Sequence, residues 1–142
     1  VYTLGNSEIK VLGPVKETND MNNRSIVLRV TYGNTAFLFE GDAEREEEQD
    51  ILNSGADVSA DVLKVGHHGS STSTTYPYLR EVMPEYAVIS CGKGNKYGHP
   101  HEETLSKLRD ADVKVYRTDE SGHIVIHSDG NEITVQTQKN HQ

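Results

Sequence analysis

The sequence predicts a mixed α/β (α+β) fold, and three observations carry that prediction. Short apolar runs of strand length recur along the whole chain, separated by breaks rich in glycine, asparagine and serine. Helical periodicity is confined to stretches that lie between such runs. The C-terminal part returns to strand-like runs alone. A β-hairpin, then β-loop-α units, then a terminal meander is the resulting order, with loops at strand ends where ligand sites gather.

The elements follow from local chemistry. Glu8–Leu12 reads as the first strand, closed by Gly13-Pro14, and a polar loop from Glu17 to Asn23 leads into a strand over Ser25–Thr31. Tyr32-Gly-Asn-Thr35 is a tight turn into Ala36–Phe39, so residues 25–40 predict a β-hairpin. Ala43 to about Asn53 predicts a helix with glutamates at its positive end and Gly55 as its stop. Its acidic run, Glu44–Asp50, is expected to be a solvated face. Asp61–Val65 is a nearly continuous apolar run and predicts a buried strand, followed by the loop Gly66–Thr74. A short helix from Tyr76 to about Met83 precedes Pro84, and Tyr86–Ser90 is the next strand, followed by the loop Cys91–Gly98. Pro100 is expected at the first helical position, with Glu102 and Glu103 behind it, an apolar stripe of Leu105 and Leu108, and Lys107 and Arg109 near the end. Val113–Arg117, His123–His127 and Glu132–Gln136 read as strands, the last two joined across Asp129-Gly130, and the residues from Lys139 on, His141 included, are expected to fray.

Composition bounds the function. The 142 residues suffice for one domain or a piece of one, and their opening on Val1 rather than methionine leads us to expect a segment upstream. No run approaches the roughly 18 apolar residues of a membrane span, so no direct membrane insertion and a soluble chain are expected. The single Cys91 rules out an internal disulfide framework or a cysteine-rich zinc module. Fourteen Lys and Arg against 22 Asp and Glu give a net charge of −8, which argues against a broad basic nucleic-acid surface. A phosphate-processing site whose positive charge comes from a divalent metal stays open.

Three sets of polar residues stand immediately after strand-like segments: Asp42, the pair His67-His68, and His99 with His101. A glycine precedes each set, and if the three strands are neighbours their ends converge on one sheet edge. An aspartate and separated imidazoles at such an edge are the donors a divalent metal takes. Each piece has a plainer reading: Asp42 as the cap of the helix starting at Ala43, His67-His68 as a hydrogen-bonded loop pair, Gly98-His-Pro as a turn into a helix. His123 and His127 lie in a strand about 13 Å apart, too far to share an ion, and surface exposure is expected for both. Cys91, beside Gly92, reads as a small buried residue rather than a nucleophile.

Asn22-Asn-Arg-Ser-Ile-Val-Leu-Arg-Val30, Phe37-Leu-Phe-Glu-Gly-Asp-Ala-Glu44, Asp61-Val-Leu-Lys-Val-Gly-His-His-Gly-Ser70, Asn95-Lys-Tyr-Gly-His-Pro-His101 and Arg117-Thr-Asp-Glu-Ser-Gly122 are together a specific set. In this order they resemble the metallo-β-lactamase-fold hydrolase domain of ComEC-type competence proteins, from about Ile9 to Val135. That fold is an αββα sandwich of two similar halves, and its first half normally carries a His-x-His-x-Asp-His string that is absent from this sequence. The resemblance therefore implies that residues 1–142 are a single unit, the C-terminal half of such a domain, with one mixed sheet and helices on one face.

The resemblance also implies roles. Asp42 matches the metal-bridging aspartate and His99 the late histidine ligand, while His67 and His68 match a catalytic pair near the scissile phosphate. His101 stands beside His99 as an alternative ligand, and Ser70, Lys93, Lys96 and Asn23 are candidate substrate contacts. The complete domain would hold two divalent ions, zinc or manganese, that activate water for attack on a phosphodiester; this half alone is expected to hold one or none and to be inactive. The implied function is a bacterial metal-dependent phosphodiesterase or nuclease of DNA uptake. The alternatives are hydrolysis of a small phosphodiester or choline ester on the same fold, or a catalytically silent interaction module. Expected partners are DNA or another phosphodiester, the missing half of the domain, and a second copy of the chain pairing through the uncovered sheet face. The implied location is the extracytoplasmic side of the membrane if the parent is a ComEC-type membrane protein, and otherwise a secreted or cytoplasmic hydrolase.

Overall fold

The computed structural model describes residues 1–139, so His141 lies outside the described residues. Strands β1 (Tyr2–Leu4), β2 (Ser7–Gly13), β3 (Val27–Tyr32), β4 (Thr35–Phe39), β5 (Val62–Lys64), β6 (Tyr86–Ile89) and β7 (Lys114–Arg117) form one mixed sheet in sequence order. The first four pair antiparallel; β5, β6 and β7 continue parallel to β4. Parallel neighbours need a crossover, and helices α1 (Arg45–Asn53), α2 (Tyr76–Val82) and α3 (Glu102–Asp110) supply the three. A one-turn helix α4 (Thr118–Ser121) follows, then a separate hairpin of β8 (Ile124–Ser128) and β9 (Ile133–Thr137).

The expected β3–β4 hairpin is present, with Tyr32 opposite Thr35 across Gly33-Asn34. Gly33 takes φ +56, and a Cβ there would lie 2.5 Å from the Gly130 carbonyl oxygen, because the β8–β9 turn docks onto this turn. Asn34 N–H donates to Gly130 O at 2.6 Å to fix that contact. Helix α1 starts two residues later than expected, with Glu44 at its N-cap, and α3 starts after His101, so Pro100 stands before the helix rather than in its first turn. Strand β1 and helix α4 were not expected from the sequence.

Strand alternation sorts the core. Leu38, Leu63, Ala87 and Ile89 pack with Ile51, Tyr78, Leu79, Val82 and Leu108 in one buried cluster, which places the three crossover helices on one face. The other face carries a cross-strand row of Val11, Leu28, Phe39, Lys64, Val88 and Tyr116. The β8–β9 hairpin covers part of it, with Ile124 and Ile126 bounding a cavity of about 220 Å³ against Phe37, Phe39, Val62, Lys64 and Val88. Beyond the hairpin the face is open, and Phe39, Val11, Tyr2 and Leu4 are exposed. His127 on β8 and His123, one residue before that strand rather than in it as expected, are both exposed.

Candidate active site

The polar loops leave the sheet at the carboxyl ends of β4, β5 and β6, the edge where open α/β sheets bind ligands. Gly66–Gly69 forms one 3₁₀ turn after β5, and inside it His67 and His68 have φ of 49° and 54°. Two consecutive non-glycine residues in the left-handed region cost of order 1–3 kcal/mol each and persist only where the surroundings over-determine them. The surroundings do so here. His67 N–H donates to Gly41 O (2.8 Å), Gly66 N–H to Glu40 Oε2 (3.2 Å), and Ser70 N–H to His67 O (2.9 Å). Gly69 has φ +84, and a Cβ there would meet Pro100 Cβ at 2.6 Å, so this loop and the one after β6 touch backbone to ring.

The side chains converge. His67 and His99 have ring centroids 5.6 Å apart, His68 and His99 6.1 Å, and His67 and His68 6.3 Å. His68 Nε2 stands 3.7 Å from Asp42 Oδ1, and both side chains are about half exposed. Asp42 makes no cap to α1; its backbone N–H donates to Ser25 Oγ at 3.1 Å, which orients it toward the histidines. The hydrogen bonds fix the tautomers. His67 Nδ1–H donates to Glu44 Oε2 (3.2 Å) and His68 Nδ1–H donates to Ser90 O (2.7 Å), so in the neutral form each presents an Nε2 lone pair. Glu44 is itself held by the Thr72 hydroxyl.

His99 and His101 differ in the same respect. His101 Nδ1 accepts from Ser71 N–H at 2.9 Å and its Nε2–H donates to Tyr97 O at 3.1 Å, so both ring nitrogens are engaged. The ring nitrogens of His99 make no hydrogen bond with the described residues; Tyr97 stacks on its face with centroids 5.5 Å apart. Burial, then the neighbouring His101, His67 and His68, push the His99 pKa below the ordinary histidine value, against the opposing pull of Asp42. His99 is therefore the imidazole left free to act as a donor.

The other candidates fall in different places. Asn23 is buried: its Oδ1 accepts from the N–H groups of Glu44 (3.1 Å) and Glu47 (3.3 Å), capping α1 from a distant loop. Ser70 is buried too, its hydroxyl bonded to Thr72 Oγ1 at 2.9 Å and its carbonyl to Thr104. Asn23 thus serves helix α1, and Ser70 the loop that carries His67 and His68. Lys93 and Lys96 are exposed, Lys96 with its Nζ 5.1 Å from the Tyr97 ring centre. Cys91 is half-buried, bracketed by Thr118, and burial with Asp119 raises its thiol pKa, which opposes a nucleophilic role.

One expectation is overturned. The acidic run of α1 is not a solvated face: Glu47 and Glu48 are 1% and 0% exposed, beside Glu40 at 0%. Glu48 accepts from Thr74 N–H (2.7 Å) and Thr75 N–H (2.9 Å), and Glu40 accepts from Gly66, so these carboxyls grip the two ends of the histidine loop. Burial, then the charge of Glu48, raises the Glu40 pKa well above the carboxylate range, and the proton so retained lets the two groups face one another.

In donor chemistry Asp42 and His99 suit a divalent ion. Among the described residues, however, no three His, Cys, Asp or Glu side chains converge closely enough to enclose one. The cluster therefore presents one carboxylate and one imidazole without hydrogen-bonded ring nitrogens, together with two oriented imidazoles.

Comparison with known proteins bears on this arrangement. The chain is 39% identical over 125 residues to ComE operon protein 3 of Bacillus subtilis, and 40% identical over 117 residues to competence protein ComA of Neisseria gonorrhoeae. Its homologues are competence-type proteins. Recombination protein 2 of Haemophilus influenzae is similar as well, 38% identical over 103 residues. The matches cover 87%, 81% and 72% of this chain but only 16%, 17% and 13% of those proteins, so the chain spans about a sixth of the length of its first two relatives. No protein-family model matches. No helix among the described residues is long and apolar enough to cross a membrane.

Proposed function

We propose that this chain supplies the C-terminal half of the active site of a metal-dependent phosphodiesterase or nuclease of the metallo-β-lactamase fold, acting on DNA in a ComEC-like bacterial competence protein. The observation that carries the reading is the convergence of Asp42, His67, His68 and His99 at one sheet edge, on a backbone strained into place. Asp42 and His99 would hold metal from this chain, and the remaining ligands would come from the other half of the domain, which the resemblance implies. The ion, when bound, supplies positive charge to the phosphate oxygens and acidifies water.

This chain's own residues do the rest. Glu44 and the Ser90 carbonyl fix His67 and His68 with Nε2 available. In its protonated form either imidazole can donate a proton to a leaving oxygen, and His68 Nε2 stands 3.7 Å from Asp42 Oδ1. Gly69 against Pro100 sets the distance between the two histidine loops.

The test is hydrolysis of single-stranded DNA, beside a small chromogenic diester, by the intact protein with and without manganese or zinc. The reading expects metal-dependent cleavage, with Asp42→Ala losing at least a hundredfold in rate together with bound metal. An intact, folded protein that holds no metal and cleaves neither substrate would overturn it.

A further inference from the structure

Lys64 stands where the sheet should carry an apolar side chain. Its row across the sheet is Val11, Leu28, Phe39, Lys64, Val88 and Tyr116, and Lys64 is the one cation in it, on a strand with hydrogen-bonded neighbours on both sides. It lines the cavity of about 220 Å³ between the sheet and Ile124 and Ile126. It is also the last residue of β5, three residues before His67. Among the described residues its ammonium makes no hydrogen bond and no ion pair. Burial lowers its pKa, and the charges of Asp42 and Glu40 raise it again, so the side chain lies in the field of the candidate metal ligand. A half-buried ammonium without a partner is costly, and apolar residues of equal length would pack this row better.

We infer that Lys64 binds a phosphate group of the substrate, at the end of the strand that leads into the His67–His68 loop. The inference rests on the phosphodiesterase reading and deepens it. Asp42 and Glu44, the side chains bonded to or nearest His68 and His67, are acidic, and the nearby cation Lys96 lies out on the exposed loop over Tyr97. A phosphodiester arriving there needs a cation besides any metal, and an ammonium already stripped of partners loses little on meeting it. Lys93 and Lys96, on the exposed loop, keep their hydration and serve that purpose less well. The apolar wall of Phe39, Val88, Ile124 and Ile126 beside Lys64 fits the uncharged part of the same ligand.

The experiment compares wild type, Lys64→Met and Lys64→Arg in the intact protein, by initial rates on a fluorescent single-stranded oligonucleotide over a series of salt concentrations. Lys64→Met is expected to lower kcat/KM about tenfold, chiefly through KM, and to flatten the log–log salt dependence by about 0.7. Lys64→Arg is expected to restore most of both, and the melting temperature and bound metal of Lys64→Met should stay at or above wild type. A second measurement needs no variant: a phosphorothioate oligonucleotide must protect Lys64 of the wild type from amine acetylation, read by mass spectrometry. Wild-type cleavage with an unchanged salt slope in Lys64→Met, or with no protection of Lys64, overturns this inference alone. A wild type that neither binds nor cleaves overturns the functional reading and this inference with it.

Discussion

The two loops that bring histidines to the sheet edge are built on opposite plans. The loop after β5 is sunk into the protein: Gly66, Gly69, Ser70, Ser73 and Thr74 are all buried, and Glu40, Glu44 and Glu48 bond it at its start, middle and end. The loop after β6 lies in water, with Gly92, Lys93, Gly94, Lys96, Tyr97 and Gly98 all exposed, and Asn95 is the main tie that holds it. The first can therefore hold His67 and His68 in a left-handed conformation that the second could not impose on His99. Rigid placement falls on the pair with fixed tautomers, and freedom falls on the imidazole with unbonded nitrogens. This division suits the proposed roles, in which His67 and His68 would be the proton donors that must be aimed and His99 a ligand that can settle onto an ion.

Removing the deepest tie is the strongest way to break this contrast. Glu48→Ala leaves the buried N–H of Thr74 and the part-buried N–H of Thr75 without acceptors and opens a cavity at a fully buried position. A cost of about 3 kcal/mol is expected from the two lost bonds and the cavity. Urea unfolding reads the loss, and the amides of residues 66–75 should exchange faster while those of 91–98 do not change. Equal effects in both loops would end the distinction.

The neighbouring residue sharpens the same point by acting in reverse. Glu47 is as buried as Glu48, yet neither carboxyl oxygen has a hydrogen-bond partner among the described residues. Burial, against an opposing pull from the Ser25 backbone and with the charges of Asp50 and Glu48 adding to it, raises its pKa from 4.5 to about 8. The native state therefore holds a proton that the unfolded state releases above pH 4.5, so Glu47 lowers stability as pH rises through that window, with no effect below it. Glu47→Gln removes this titration. Relative to wild type the variant should gain about 1.4 kcal/mol per pH unit near the middle of the window, measured by denaturant unfolding at pH 5, 6 and 7. Parallel wild-type and variant curves would show that Glu47 is not held protonated.

That pair also marks the limit of what the sequence discloses. The β3–β4 hairpin, β5, β6 and their glycine-led loops were legible because alternation, apolar runs and turn residues are local signals. The meeting of Asp42, His67, His68 and His99 followed from strand adjacency alone. Glu44–Asp50 read as a solvated face because Glu48 is buried against amides some 26 positions away and Glu47 against Gly13 of β2, which no local pattern contains. The same reason hid Asn23, which looked like a site residue and is a helix cap supplied from 21 positions upstream. Lys64 was passed over as part of an apolar run, although a lysine inside Val-Leu-Lys-Val was itself the signal. Strand β1, three residues long, and the single turn of α4 are too short to announce themselves.

The smallest effect on stability belongs to the open loop. Asn95 Nδ2 donates to Gly92 O (2.9 Å) and His99 O (2.7 Å), while its Oδ1 accepts from Tyr97 N–H (3.1 Å) and His99 N–H (2.9 Å). Asn95→Ala removes all four, but the groups left behind lie at the surface and water replaces the side chain, so the cost should be about 1 kcal/mol or less. Function should be hit harder than stability, because His99 is then positioned by ring contacts with Tyr97 and His101 and by the Pro100 contact to Gly69, with no hydrogen bond from Asn95 to its backbone. An outer partner of a metal ligand is worth about 10–100-fold in affinity or activity. In the intact protein, Asn95→Ala should lower metal-dependent cleavage by that range with a nearly unchanged melting temperature, and excess metal should recover part of it. The same substitution cannot act through His67 or His68, whose ties it does not touch, so failure of excess metal to rescue would place the role of His99 in proton transfer rather than in holding the ion.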